Sequence, residues 1–211
     1  LYNAVNGCDS IINTTLTVTP AITLALVSND ALCNGSCDGS AIVNAAGGNG
    51  VYTYLWNTSP VQTDSTATGL CAITYSVTVT DGSNCQTTGT VSIGQPIPLT
   101  ISITSTIQPT CFGACNGEVN AIVTGGTPPY TYLWNDLNLQ TTASATGLCA
   151  GNYLLSITDS NSCIDSLGVL LPDPPIITFT IPGNDYICAG SCSGDAFVSA
   201  TGGIPPFTYA W

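Results

Sequence analysis

The sequence repeats at an interval of 78 residues, and that period limits the fold more than any other feature. Trp56, Trp134 and Trp211 stand 78 and then 77 residues apart. Each closes an aromatic run: Tyr52 to Asn57 (YTYLWN), Tyr130 to Asn135 (YTYLWN) and Phe207 to Trp211 (FTYAW). Cys33, Cys37, Cys71 and Cys85 return as Cys111, Cys115, Cys149 and Cys163, and Cys188 with Cys192 opens a third copy. Self-similarity at a fixed interval marks a tandem array of small units. The boundaries that follow are 20–97 and 98–174 for two complete repeats, and 175–211 for the first half of a third. Residues 1–19 read as the closing strand of a preceding repeat, with Cys8 in the place of Cys85. A chain that opens and closes in mid-repeat is expected to be a window on a longer protein.

Within a repeat, Thr, Val, Ile and Tyr fill the regular segments while Gly and Pro separate them, and no long stretch has a helical period. Strands are expected at Ile22–Val27, Ala41–Ala45, Tyr52–Trp56, Thr74–Thr80 and Thr88–Ile93, with a short edge pair in Gln62–Ala67. Side chains alternate along a strand, so Ala41, Val43 and Ala45 share one face, as do Val119, Ala121 and Val123 in the next copy. Tyr75, Val77 and Val79 are expected to face inward. Asp81-Gly-Ser-Asn84 reads as a hairpin turn. Seven short strands per repeat predict an all-β chain of β-sandwich repeats, joined end to end by the stiff Gln95–Pro98 segment.

The chain is 44% hydrophobic and 8% aromatic, which supplies a core, yet only 6% charged. Twelve acids stand against no Lys, Arg or His, giving a net charge of −12. Nucleic acid and anionic lipid are repelled by such a chain. Ordinary salt bridges and Lys-based isopeptide staples are excluded, so burial, backbone ladders and cross-links must hold the fold. Eleven cysteines therefore read as disulfides in an extracellular protein. No apolar run approaches the roughly 20 residues of a membrane span.

Few side chains offer chemistry. General-base catalysis by His or Lys is impossible, and Ser or Cys nucleophiles lack an activating base. A carboxylate pair of Asp38 and Asp64 becomes Asn116 and Thr142 in the next copy, so the reading is non-enzymatic, with no cofactor. Calcium is the one rival, since hard cations prefer oxygen, and Asp81 and Asp159 in the turns are its first candidates. The same two residues are explained without a metal as Asx side chains satisfying backbone N–H groups. Trp56, Trp134 and Trp211, with Tyr54 and Tyr132, are expected to fill the core between two sheets; the competing reading is a sugar-stacking platform.

Strand order bears on the cross-links. In a sandwich of this kind Cys33 and Cys37 lie at the same end as Cys71, and Cys85 lies at the other. A bridge along the strand from Cys71 to Cys85 would have to reach roughly 30 Å, against about 4.4 to 6.8 Å between the Cα atoms of a disulfide. Cys37 is therefore expected to pair with Cys71, and Cys115 with Cys149. For Cys33 two partners remain open, Cys163 of the next repeat or Cys85 of its own.

Cys111-Phe-Gly-Ala-Cys115-Asn-Gly117, Gly125-Gly-Thr-Pro-Pro-Tyr130-Thr-Tyr-Leu-Trp134-Asn135, Leu148-Cys-Ala-Gly-Asn-Tyr153 and Thr158-Asp-Ser-Asn-Ser-Cys163 together resemble the SprB repeat of Bacteroidota gliding-motility adhesins and other giant surface proteins. The resemblance covers both complete repeats and the visible half of the third; the leading segment departs from it at Asn3-Ala4. It implies immunoglobulin-like or PKD-like domains in an extracellular, type IX-secreted adhesin on a bacterial cell surface. Its partners would be neighbouring repeats of the same chain, surface polysaccharide or other cells. It also implies O-glycans at Asp-Ser motifs, here Ser10, Ser65 and Ser166. Two alternatives compete with a stalk: an array of carbohydrate-binding modules, and a filament subunit whose half repeat is completed by strands of another chain.

Overall fold

The computed structural model describes residues 18–184 and 195–211. Cys8, Ser10, Cys188, Cys192 and most of the closing strand expected in 1–19 lie outside the described residues. The chain divides into two compact units, one built on residues up to Ala31 with Gly35–Gln95, the other on Leu32–Asn34 with Pro96–Trp211.

The first unit is a sandwich of two antiparallel three-stranded sheets. One sheet has the order β1 (Thr23–Asn29), β2 (Gly39–Ala46), β4 (Thr66–Leu70); the other has β3 (Tyr52–Trp56), β5 (Thr74–Asp81), β6 (Gln86–Ser92). Alternation along β5 is complete: Tyr75, Val77, Val79 and Asp81 are buried, and the residues between them are not. Ala41, Val43, Ala67 and Leu70 of one sheet pack against Trp56, Tyr75, Val77 and Val79 of the other. Gly89 of β6 lies opposite Val77, and a Cβ there would strike Leu26, so the bare backbone makes room for β1.

The repeat has six strands rather than the expected seven. Residues 62–65 form no strand because they cross between sheets: the Gln62 carbonyl accepts Trp56 N–H at 3.0 Å, and the Ser65 carbonyl accepts Val43 N–H at 2.9 Å. In place of an edge strand, the Gln62 side-chain amide pairs with Thr68, donating to its carbonyl and accepting its N–H, both at 2.9 Å.

In the second unit the pattern returns. One sheet is β7 (Thr100–Ile107), β8 (Gly117–Thr124), β10 (Ser144–Leu148); the other is β9 (Thr131–Trp134), β11 (Gly151–Thr158), β12 (Ile164–Leu171). Ile101, Val119, Ala145 and Leu148 meet Trp134, Leu155, Ile157 and Leu171 in the core. Gln140 repeats the amide pairing with Thr146 at 2.9 and 3.0 Å. Residues 175–211 contribute two short ladders among the described residues, β13 (Thr178–Thr180) with β16 (Ser199–Thr201), and β14 (Gly183–Asn184) with β15 (Asp195–Ala196). Trp211, which the sequence assigns to a core, is 83% exposed. Each ladder has two strands among the described residues, against the two three-stranded sheets of a complete repeat, and the indole is left uncovered.

Candidate functional site

Three features recur in both complete repeats: the aromatic strand, an acidic turn, and a cysteine loop. In the aromatic strand, Trp56 and Trp134 are almost fully buried, and each indole N–H donates to a backbone carbonyl, of Asp64 or Thr142, at 2.9 Å. A buried indole with its N–H satisfied is a core residue and offers no face to a sugar. Tyr54 and Tyr132 are half-buried against the same cores. The first tyrosine of the motif instead fastens a turn, for Tyr130 O–H donates to the Gly125 carbonyl at 2.6 Å, and Tyr52 does the same to Gly47.

Those carbonyls belong to a Gly-Gly turn that looks, in the sequence, like a simple reversal. Gly47 and Gly125 have φ of 84° and 73°, and a Cβ on either would collide with the backbone carbonyl of Ala21 or Pro98. Only glycine fits where a left-handed conformation coincides with so close a backbone approach. The signal was legible, since the pair also occurs as Gly202-Gly203, where Gly202 has φ 77° and would meet the Ile176 carbonyl.

The acidic residue of the turn, Asp81 or Asp159, ties this Gly-Gly turn to the hairpin. Asp81 Oδ1 accepts the N–H groups of Ser83 and Cys85 at 2.9 Å, and Oδ2 accepts Asn49 N–H at 3.2 Å. Asp159 does the same with Asn161 and Cys163 at 2.9 Å and Thr127 at 2.8 Å. Burial opposes ionisation of Asp159, but the N–H groups of Thr127, Cys163 and Asn161 outweigh it and hold the carboxyl below its ordinary value. Both carboxylates thus face N–H donors. A cation would need oxygen ligands there instead, and no cluster of three or more His, Cys, Asp or Glu exists among the described residues.

A second buried acid, Asp136, was missed because its counterpart is Thr58. Thr58 Oγ1 accepts Gln62 N–H at 3.1 Å, whereas Asp136 accepts the N–H groups of Gln140 at 2.9 Å and Asn138 at 3.2 Å, and the Gln140 side chain at 2.9 Å. Burial again opposes ionisation, and the Gln140 and Asn138 bonds outweigh it, leaving Asp136 with a lowered pKa. Asp38 and Asp64 are both exposed; Asp38 accepts the Ser36 hydroxyl at 2.6 Å, and Asp64 serves through its carbonyl in the bond to Trp56.

Three disulfides are present among the described residues: Cys37–Cys71, Cys115–Cys149 and Cys33–Cys163. Each of the first two joins the loop before the second strand of a repeat to the turn before its fifth. The third lies in the second unit, where Leu32–Asn34 are gathered, with a Cα separation of 5.7 Å. Beside it, Asn161 Nδ2 donates to the Leu32 carbonyl at 3.0 Å. Cys85 and Cys111 carry free, exposed thiols. Ser65 and Ser166 are exposed.

The SprB repeat model matches residues 25–61, 103–139 and 182–211. In both complete repeats the match runs from the first strand past the aromatic strand, so it contains the cysteine loop and the Gly-Gly turn. No curated protein matches the chain in sequence. Among solved structures, the N-terminal eight Ig domains of Down Syndrome Cell Adhesion Molecule (DSCAM) isoform 1.30.30 align at 12% identity and a TM-score of 0.31, over 89% of this chain and 33% of that one. The chain thus spans a third of that structure's length. DIP-gamma IG1+IG2 aligns at 12% identity and a TM-score of 0.32, over 72% and 97%. Dpr2 Ig1-Ig2 in complex with DIP-Theta Ig1-Ig3 aligns at 11% and 0.28, over 77% and 75%. No helix of the described residues is long and apolar enough to cross a membrane. Matched at three segments that follow its own internal period, the chain carries the SprB repeat three times.

Proposed function

We propose that this chain is a non-enzymatic segment of a large bacterial surface adhesin, whose repeats serve as a disulfide-stabilised stalk. The observation that carries the reading is the threefold SprB match in register with the cysteine loops. The uses found for the polar groups support it. The acids of the turns, the indole N–H groups and the motif tyrosines are spent on the fold itself, and the chain has no His, Lys or Arg for general-base chemistry. Burial of Trp56 and Trp134 weighs against a carbohydrate-binding array. In an extracellular setting, Ser65 and Ser166 are open to O-glycosylation, and calcium is not needed to satisfy Asp81 or Asp159. Antibodies against the chain are expected to label intact cells, and proteinase K shaving to remove the label. Labelling only after permeabilisation sinks the proposal.

One observation favours the filament alternative. Ile177, Phe179, Val198, Phe207 and Trp211 line an open apolar cavity of about 490 Å³, a sheet face of the kind another chain's strands could cover. Under this reading Trp211 fluorescence shifts to the blue as concentration rises. An unchanged spectrum up to millimolar chain leaves the stalk reading alone.

A further inference from the structure

Cys85 and Cys111 are exposed thiols in a protein whose described cysteines are otherwise all bonded, and the repeat says what they are for. Cys111 is the counterpart of Cys33, and Cys85 the counterpart of Cys163, each displaced by 78 residues; those counterparts are joined to each other. We propose that Cys111 and Cys85 are the two unfilled halves of this same bond. Cys111 takes the turn cysteine of a further SprB repeat, and Cys85 takes the loop cysteine of another.

The two free thiols are presented as the bonded ones are. In the loops, Gly35 and Gly113 have φ of 78° and 73°. Their N–H groups donate to equivalent side chains, Gln95 Oε1 at 2.7 Å and Asp173 Oδ1 at 3.1 Å. The second cysteine of each loop is anchored by the Cys37–Cys71 or Cys115–Cys149 bridge. In the turns, Cys85 N–H and Cys163 N–H each reach the Oδ1 of Asp81 or Asp159 at 2.9 Å. The preceding residues, Asn84 and Ser162, share a left-handed backbone with φ of 63° and 66°. A backbone that holds its cysteine the same way whether bonded or free has already met the ordering cost of binding.

Other uses for the thiols find no support. A catalytic thiolate needs a neighbouring base or cation, and the sequence has no His, Lys or Arg. A metal needs several ligands, and no such cluster exists among the described residues. The step is a thiol–disulfide exchange: one loop thiol and one turn thiol lose two protons and two electrons to a small disulfide oxidant, which leaves as two thiols. The bond is directional, because it joins a loop thiol to a turn thiol, so its repetition links repeats head to tail and not like to like. The inference needs only the repeat and stands whether or not the protein adheres to anything.

The further repeat is supplied either by the same polypeptide or by a second copy, and the test uses a second copy. Oxidatively folded 211-residue chain at natural isotopic abundance is mixed with 15N-labelled chain, concentrated, and treated with oxidised glutathione. Peptic peptides are then mapped without reduction. The expected products are light–heavy bonds of loop-to-turn type, Cys111 with Cys85, or their sequence counterparts Cys188 with Cys85 and Cys111 with Cys8. Cys111→Ser should abolish the Cys85–Cys111 species and leave Cys85 bonded only to Cys188. Like-to-like bonds, Cys85 with Cys85 or Cys111 with Cys111, are what adventitious oxidation gives and overturn the proposal. So does a same-chain Cys85–Cys111 bond, which uses no further repeat, or Cys85 and Cys111 still fully alkylated by iodoacetamide after oxidation.

Discussion

Trp134 and Trp211 end the same aromatic motif, yet one is fully buried and the other is 83% exposed. The half repeat keeps what its own sequence can specify. Its Gly202-Gly203 turn has the same left-handed geometry, Gly203 N–H reaches the Pro175 carbonyl at 2.7 Å, and Thr178–Thr180 pairs with Ser199–Thr201. It lacks what the later strands supply: the inner face of β11, where Leu155 and Ile157 cover Trp134, and the Asp159 carboxylate that ties the turn down. Turn chemistry is therefore local, whereas the core and its anchor belong to the whole repeat.

The comparison can be broken at several points, the largest first. Trp134→Ala should lower the opening free energy of β11, read by amide exchange, by about 3 to 5 kcal/mol, through the lost contacts and the cavity left behind. Trp211→Ala should change stability by less than ~0.5 kcal/mol, as expected of an exposed side chain. Equal losses would mean that the two tryptophans share one environment.

Replacing both Cys115 and Cys149 by serine opens a loop with a sequence separation of 34. The chain-entropy estimate is a loss of about 4 kcal/mol from the second sandwich. Urea unfolding followed by circular dichroism reads the loss; exchange in β13 and β16 should not move.

Gly125→Ala forces a Cβ against the Pro98 carbonyl in a left-handed backbone and should cost about 2 kcal/mol or more. Gly113→Ala, at φ 73° with open space around it, should cost about 1 kcal/mol. If the two variants melt alike, the close approach contributes nothing.

Acid gives the smallest effect. The folded pKa of Asp159 is depressed, so its contribution to stability is present above the ordinary carboxylate range and fades as pH falls through and below it. Midpoints of the second sandwich should drop as pH falls through and below the ordinary carboxylate range, and Asp159→Asn should flatten that limb by removing one of its titrating groups. An unaltered acid limb in the variant would show that the N–H groups do not discriminate the charged form.

Periodicity and alternation made most of the sandwich legible, because each repeat sampled the same pattern with different residues: Val77 and Val79 of β5 become Leu155 and Ile157 of β11. The seventh strand was misread because Gln62 and Gln140 look like ordinary polar residues of an edge strand. That a side-chain amide replaces a backbone rung is a three-dimensional fact with no period. The Asp81 and Asp159 turns were readable as Asx turns, but the third bond, to Asn49 or Thr127, spans 32 residues and could not be inferred from neighbours. Asp136 escaped for the opposite reason. Its role is kept in geometry but carried by Thr58 in the first copy, so the repeat itself hid it.

The Cys33–Cys163 bridge changes what the chain does under tension. A pulling force that enters before residue 33 and leaves after residue 163 passes through one covalent bond and leaves the 130-residue span between them unloaded. Fully drawn out, that span would add about 450 Å of length at roughly 3.5 Å per residue. While the bond holds, a stretched molecule cannot lengthen by unravelling the folded strands inside the loop, so that length is released only on reduction.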